Sequence, residues 1–192
     1  MKIAITGGIC SGKSTVRAIL EKRGIEIIDA DDLARESAEL SKERILQHFG
    51  PGYFDVKGKL NRAKLAEKIF SSPEEKKALE RILHPVIISL IKQGMECFEK
   101  DEKKYIVIAP LIFETDIGEL FDYVILLSCG QQQQIKRLTE REQIAKEKAF
   151  ERIRVQFSDE EKGKKADFII DTSCSISETE EVIIKLLEKI GF

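Results

Sequence analysis

The run Ile3-Ala4-Ile5-Thr6-Gly7-Gly8-Ile9-Cys10-Ser11-Gly12-Lys13-Ser14-Thr15 constrains this chain more than any other stretch. It reads as an apolar strand, then Gly-x-x-x-x-Gly-Lys-Ser, then a helical run over 16–23 that Gly24 closes. A strand before and a helix after is the setting in which this spacing forms a phosphate-binding loop. Glycines let the backbone turn tightly and come close to an anion. The loop amides and the positive end of the helix then aim several N–H donors at phosphate. Lys13 is long enough to reach the β- and γ-phosphates of a nucleotide, and the Ser14 hydroxyl can join the coordination of Mg2+. A Gly-rich turn before a helix is common by itself. One that also carries the strand, the helix and the Lys-Ser pair selects nucleotide binding.

With 192 residues the chain can bury a sizeable core, enough for one α/β domain with inserted subdomains. A formal net charge of -2 gives no general attraction to nucleic acid, so an anionic ligand must be held by a local cluster of donors. No apolar run is long enough to span a bilayer. The first strand begins directly after Met1-Lys2, which leaves no room for a signal peptide and makes the cytoplasm the expected compartment. Cys10, Cys97, Cys129 and Cys174 lack metal-type spacing and are expected as buried or incidental thiols.

A second short strand over 25–29 runs into Asp29-Ala30-Asp31-Asp32. An extended backbone would point Asp29 and Asp31 to the same side, at the C-terminal end of a parallel strand, where α/β sheets bind ligands. An Asp before Leu33-Ala34-Arg35-Glu36 would equally well cap a helix. On pattern alone catalysis and capping both stay open. Residues 41–100 read as helical, with Asn61 as a cap and Ser72-Pro73-Glu74-Glu75 as a capping-box start. His84-Pro85 falls inside this region, where the helix should kink or restart.

Residues 105–109 form a continuous apolar run, as in a buried central strand, which ends at Pro110-Leu111-Ile112-Phe113-Glu114. Another apolar strand is expected over 123–128. A charge-rich helical pair follows over 131–156 with Arg137, Arg141, Arg152 and Arg154. Ser158 and Glu161 repeat the capping-box pattern, and 168–171 is the last strand. Ser177 and Glu180 then start a closing helix whose apolar face is Val182, Ile183, Leu186, Leu187 and Ile190. Strands alternating with helices predict an α/β fold: three layers around a five-stranded parallel sheet of the P-loop NTPase type. One domain is expected, with its core at about 1–40, 101–130 and 166–192, a helical insertion at 41–100 and a helical lid at 131–165.

The loop alone does not separate a kinase from a switch GTPase, a motor ATPase or a passive binder. Asn-Lys-x-Asp is absent, which stands against a switch GTPase, and the third strand lacks the four-apolars-then-Asp ending of motor ATPases. A short chain with a helical insertion and an Arg-rich lid favours a small-molecule kinase, because lid arginines can stabilise the charge of a loose transition state. Taken singly, each arginine reads as a solvated helix-face charge. A nucleotide-binding regulatory module without catalysis is the reading from another class, and the intact Asp31 and lid arginines oppose it.

Further pieces occur in a fixed order: Ile28-Asp29-Ala30-Asp31 with Leu33-Ala34-Arg35, Leu60-Asn61-Arg62 with Leu65-Ala66, and Leu83-His84-Pro85. Pro110-Leu111-Ile112-Phe113-Glu114 comes next, then Gln134, Arg137-Leu138, Arg141, Arg152, Gln156, and Ala166-Asp167 with Ile170-Asp171. In this order and spacing the chain resembles the dephospho-coenzyme A kinases nearly end to end. The resemblance implies transfer of the ATP γ-phosphoryl to the ribose 3′-hydroxyl of dephospho-coenzyme A, with ATP and Mg2+ as cofactors and no nucleic-acid or membrane partner. It implies Lys13, Asp31 and Arg141 as catalytic residues, with Asp31 accepting or orienting the acceptor's hydroxyl proton. Nucleotide contacts are implied for Gly8, Cys10, Ser11, Gly12, Lys13, Ser14, Thr15 and Arg137, with Ser14 also toward the metal. Acceptor contacts are implied for Asp31, Arg35, Arg62, His84, Pro110 and Glu114, although His84 can equally be a structural histidine beside the helix break.

Two positions depart from the pattern. Cys10 stands where the family usually has Gly; it fits if its φ is negative and strains the loop if φ is positive. Close to a nucleotide base it would also confer sensitivity to thiol reagents. Thr172 stands where Asn commonly follows Ile-Asp, in the loop that contacts adenine in relatives.

Overall fold

Short strands buried on both faces need helices on both sides, and the sequence supplies them in alternation. The computed structural model of the chain describes residues 1–115 and 117–192, with Phe70 described by its backbone alone. In chain order the elements are β1 (Ile3–Gly7), α1 (Lys13–Lys22), β2 (Glu26–Asp29), α2 (Ala30–Leu40), α3 (Lys42–Phe49), α4 (Arg62–Ser71) and α5 (Pro73–Lys100). They continue with β3 (Tyr105–Ile108), β4 (Tyr123–Ser128), α6 (Gln131–Glu142), α7 (Lys146–Ile153), α8 (Asp159–Gly163), β5 (Phe168–Asp171) and α9 (Ile176–Lys189).

The five strands form one parallel sheet in the order β2-β3-β1-β4-β5. Ile3 of β1 is in register with Ile106 of β3 on one side and Tyr123 of β4 on the other. The strand order therefore reverses at β1, whose C-terminal end runs into the phosphate loop. That is the switch point at which open α/β sheets bind ligands. Ile3, Ile5, Ile106, Ile108, Ile125 and Leu127 from the central strands pack with Val16 and Leu20 of α1 and with Ile183 and Leu187 of α9. Full burial of each such side chain contributes about 1.5–3 kcal/mol.

The chain divides into two compact units: a sheet unit of Met1–Asp29 with Met95–Phe192, and a helical unit of Ala30–Gly94. The helical unit starts at residue 30 and ends at 94, against the 41–100 expected for the insertion. No connecting residue separates β2 from α2, and α5 continues as one helix past residue 94. The helical unit has its own small core of Ala38, Ile45, Leu60, Leu65, Leu79 and Ile82. Helices α6 and α7, from the expected lid, belong to the sheet unit.

Three local expectations need correction. β2 stops at Asp29 and Ala30 is already helical, so Asp29 and Asp31 do not share an extended run; Asp31 lies in the first turn of α2. Of the kink or restart expected at Pro85, the restart does not occur, since α5 is one helix from Pro73 to Lys100. Proline forfeits one backbone hydrogen bond there, yet the helix continues with Ile82 buried before it and Ile91 after it. Helix α9 opens on the Ser175/Glu178 capping box instead of Ser177/Glu180, and Val182 on it is 46% exposed. The cysteines are all free, in keeping with buried or incidental thiols: Cys129 is buried, Cys10 intermediate, and Cys97 and Cys174 exposed. Among the described residues no helix is long and apolar enough to cross a membrane.

Candidate active site

The loop after β1 is closed by a backbone turn, Ser11 N donating to Gly8 O at 3.2 Å. Gly12 then occupies the N-cap position of α1 at φ 93, with no side-chain cap. A side chain at this φ is disfavoured, and an uncapped helix start leaves its first amides for a ligand. Lys13 Nζ lies back over the loop and donates to Gly7 O and Gly8 O, both at 2.8 Å. Ser14 is exposed and Thr15 half-buried in the first turn of α1, while Ser11 is buried. Gly8 is buried as well, and a Cβ there would collide with the amide of Gln134.

Cys10 has φ 59, the strained alternative of the two that its sequence position allowed. A left-handed conformation costs a residue with a Cβ about 1–2 kcal/mol. Its surroundings hold it there. The Cys10 carbonyl accepts from Arg137 Nη1 at 3.2 Å and from Cys129 Sγ at 3.6 Å. Its side chain, with Ile9, packs on Leu138, Ala149 and Ile153 of α6 and α7. Burial pushes the Cys10 thiol pKa up, with the charge of Arg141 pulling the other way.

Arg137 does not end at Cys10. Its Nη2 donates to Thr172 O at 2.7 Å, so one guanidinium bridges two backbone carbonyls beside the loop. Thr172, after β5, is buried and donates through Oγ1 to Ser11 O at 2.8 Å and Ser128 O at 3.1 Å. The residue that departs from the Ile-Asp-Asn pattern thus ties the phosphate loop to the end of β4. An open cleft of about 330 Å3 beside this bridge is lined by Cys10, Gly12, Ser14, Thr15, Arg137, Arg141, Thr172, Cys174, Ile176 and Thr179. Arg141 is exposed and pairs with Glu142 at 2.8 Å, while Arg152 takes the other carboxylate oxygen. The hydrogen bond from Arg141 holds the Glu142 carboxyl below its usual range.

The turn after β3 holds the other candidates of the sheet unit. The Pro110 carbonyl accepts from Thr6 Oγ1 at 3.3 Å and from Lys162 Nζ at 2.8 Å. Glu114 pairs with Lys162 at 3.2 Å and accepts from Phe157 N at 3.2 Å. Gln156 Oε1 accepts from Ile9 N of the loop at 3.0 Å. Lys162 escaped the reading of the sequence because Glu160-Glu161-Lys162-Gly163-Lys164-Lys165 offers nothing local to single it out from its exposed lysine neighbours.

In the helical unit, Asp31 and Arg35 are exposed and four residues apart on α2, hence on one face. Arg62 donates to Arg35 O at 2.8 Å and pairs with Glu39 at 3.5 Å. His84 lies on α5, half-buried, and its ring makes no hydrogen bond to another described residue.

An uncapped helix start and a folded-back lysine at the switch point of a parallel sheet define the class: a protein of the P-loop fold with a site for nucleotide phosphates. Known proteins narrow this further. The sequence pattern of dephospho-CoA kinase matches residues 1–178. The dephospho-CoA kinase of Halalkalibacterium halodurans is 37% identical over 193 residues, covering 98% of this chain and 96% of the relative. Among solved structures, the dephospho-CoA kinase from Campylobacter jejuni superposes with a TM-score of 0.76 at 31% identity, covering 99% of this chain and 98% of the other. A crystal structure from Thermus thermophilus gives a TM-score of 0.82 at 31% identity, covering 100% and 98%. The chain belongs to the dephospho-CoA kinase family. Its reaction is the phosphorylation of dephospho-CoA, the final step of coenzyme A biosynthesis.

Proposed function

We propose that the chain transfers the γ-phosphoryl of ATP, with Mg2+, to the ribose 3′-hydroxyl of dephospho-CoA, as a cytoplasmic enzyme without nucleic-acid or membrane partners. The observation that carries this is the phosphate cradle itself: open amides at the start of α1 under the Lys13 ammonium. In this reading Gly8, Ser11, Gly12, Lys13 and Thr15 hold the β- and γ-phosphates by backbone N–H groups and the ammonium. The cleft flanked by Cys10, Arg137 and Thr172 takes the nucleoside. Arg141 swings from its exposed pair with Glu142 onto the transferring group, where its charge is worth most.

Ser14 supports a place for Mg2+. Among the described residues no cluster of three or more His, Cys, Asp or Glu could hold a metal. Mg2+ ordinarily takes only one or two protein groups together with substrate phosphates and water, so a single exposed hydroxyl in the first turn of α1 suits it. Asp31 accepts or orients the acceptor's hydroxyl proton, as a positioned base does. Arg35, Arg62, His84, Pro110 and Glu114 take the acceptor.

ADP release is followed with ATP, Mg2+ and dephospho-CoA, and the new phosphate is located by 31P NMR. A 3′-phosphate is expected; phosphate elsewhere on the acceptor overturns the regiochemistry. Asp31→Asn should lower kcat by about 10^2–10^4-fold while leaving ATP affinity unchanged. A matching loss of ATP binding would assign Asp31 to the metal or to the fold instead.

A further inference from the structure

Lys162 is 0% exposed, while its neighbours Glu160, Glu161, Lys164 and Lys165 face water. Taking an ammonium out of water costs on the order of several kcal/mol unless the site returns hydrogen bonds and an opposite charge. Here it returns both, and both come from one turn: the Pro110 carbonyl at 2.8 Å and the Glu114 carboxylate at 3.2 Å. An apolar side chain at 162 could fill the same space without the desolvation cost. It could not fix the direction of a carbonyl and a carboxylate.

The partners of these two groups give that direction a use. The Pro110 carbonyl also takes the hydroxyl of Thr6, one residue before Gly7, so the turn after β3 and the root of the phosphate loop share an acceptor. Glu114 Oε1 also takes the Phe157 amide, and the preceding residue, Gln156, holds the Ile9 amide of the loop. The remaining oxygen, Glu114 Oε2, is buried with no partner among the described residues. The carboxylate is thus pinned through one oxygen, while the other is a buried acceptor left unsatisfied among the described residues.

We propose that Lys162 is a positioning residue for phosphorylation of the acceptor: its ammonium fixes the 110–114 turn, and through the Pro110 carbonyl ties that turn to the strand that feeds the phosphate loop. The inference rests on the reading of Pro110 and Glu114 as acceptor contacts.

The test is a kinetic split in the full-length enzyme, with ATP and dephospho-CoA varied separately and thermal unfolding measured alongside. Lys162→Met should raise KM for dephospho-CoA about tenfold or more and lower kcat, because a misplaced turn misplaces the acceptor, with KM for ATP within about twofold. Lys162→Gln keeps a donor for the Pro110 carbonyl and should fall between wild type and Lys162→Met; it carries the test if the Met variant does not fold. Glu114→Gln should raise KM for dephospho-CoA in the same direction. If the Lys162 variants lose only stability while Glu114→Gln raises the acceptor KM, Lys162 is structural and the proposal falls with the acceptor reading intact. If neither position moves the acceptor KM, the acceptor reading of 110–114 falls first and the proposal with it. An equal rise of both KM values overturns the proposal as well, since it marks general damage to the sheet unit.

Discussion

In the sheet unit the candidate groups are held by backbone. Lys13 sits on Gly7 and Gly8, Arg137 on Cys10 and Thr172, and Lys162 on Pro110. In the helical unit Asp31, Arg35 and Arg62 stand on exposed helix turns over a small core, and only Arg62 reaches a carbonyl, that of Arg35. The first arrangement is preorganised: its dipoles and charges are in place before a nucleotide arrives and need little reorganisation. The second is built from side chains on helix turns, with Arg62 held by the Arg35 carbonyl and by Glu39. Substitutions of Lys13 and Arg137 around the phosphate loop should therefore disturb the nucleotide step most, and those of Asp31, Arg35 and Arg62 the acceptor step, with the 110–114 turn and Lys162 as the part of the sheet unit that acts on the acceptor.

The largest expected effect is Lys13→Ala. It removes the one ammonium over the loop carbonyls and should lower the transfer rate by about 10^2–10^3-fold, in the range seen when a preorganised charge donor is lost. ADP release at saturating acceptor measures it. Activity within about tenfold of wild type would mean that amides and arginines suffice, and would dissolve the contrast between the two units.

Core truncations sharpen the same contrast at the level of stability. Ile125 of β4 is fully buried and in register with Ile5 of β1. Ile125→Ala should cost about 2–5 kcal/mol and lower the global unfolding midpoint. Leu65, 4% exposed, belongs to the core of the helical unit. Leu65→Ala should cost a similar amount, yet its loss of hydrogen-exchange protection should stay within residues 30–94, as expected of a separately opening unit. Equal loss across the sheet amides would show that the two units unfold as one.

These elements also differ in how far the sequence disclosed them. The phosphate loop, the five strands and the α/β class are written in local patterns: apolar runs, Gly spacing and capping residues. Residues whose role depends on tertiary surroundings were not legible in that way. Lys162 shares its local sequence with exposed lysines, and only the Pro110 and Glu114 partners make it a buried one. Asp31 looked extended because period two fits Asp29-Ala30-Asp31, but α2 begins without a connecting residue. Two overlapping Ser-x-x-Glu pairs compete to open α9, and the pattern cannot rank Ser175 against Ser177. Thr172 was visible as a departure, whereas its two hydrogen bonds under the loop were not.

The smallest expected effect concerns Cys10, where the preorganised unit carries its own strain. Cys10→Gly removes the left-handed penalty of about 1–2 kcal/mol. The greater freedom of Gly in the unfolded chain takes back roughly 0.5–1 kcal/mol, and the thiol's packing on Leu138, Ala149 and Ile153 is lost as well. The denaturant midpoint should therefore rise slightly, by the equivalent of about 0.5 kcal/mol or less, with transfer activity kept because the backbone already has a glycine-like shape. The thiol gives an independent readout. Burial raises its pKa, so it is protonated at neutral pH, and iodoacetamide should label Cys10 slowly there and faster as pH climbs through and beyond the ordinary thiol range. Inactivation with that pH profile should vanish in Cys10→Gly. If it persists, the reactive thiol is Cys174, which lines the same cleft. A variant destabilised instead of stabilised would mean that side-chain packing at residue 10 outweighs the backbone strain, and that this loop is held in shape by α6 and α7 more than by its glycines.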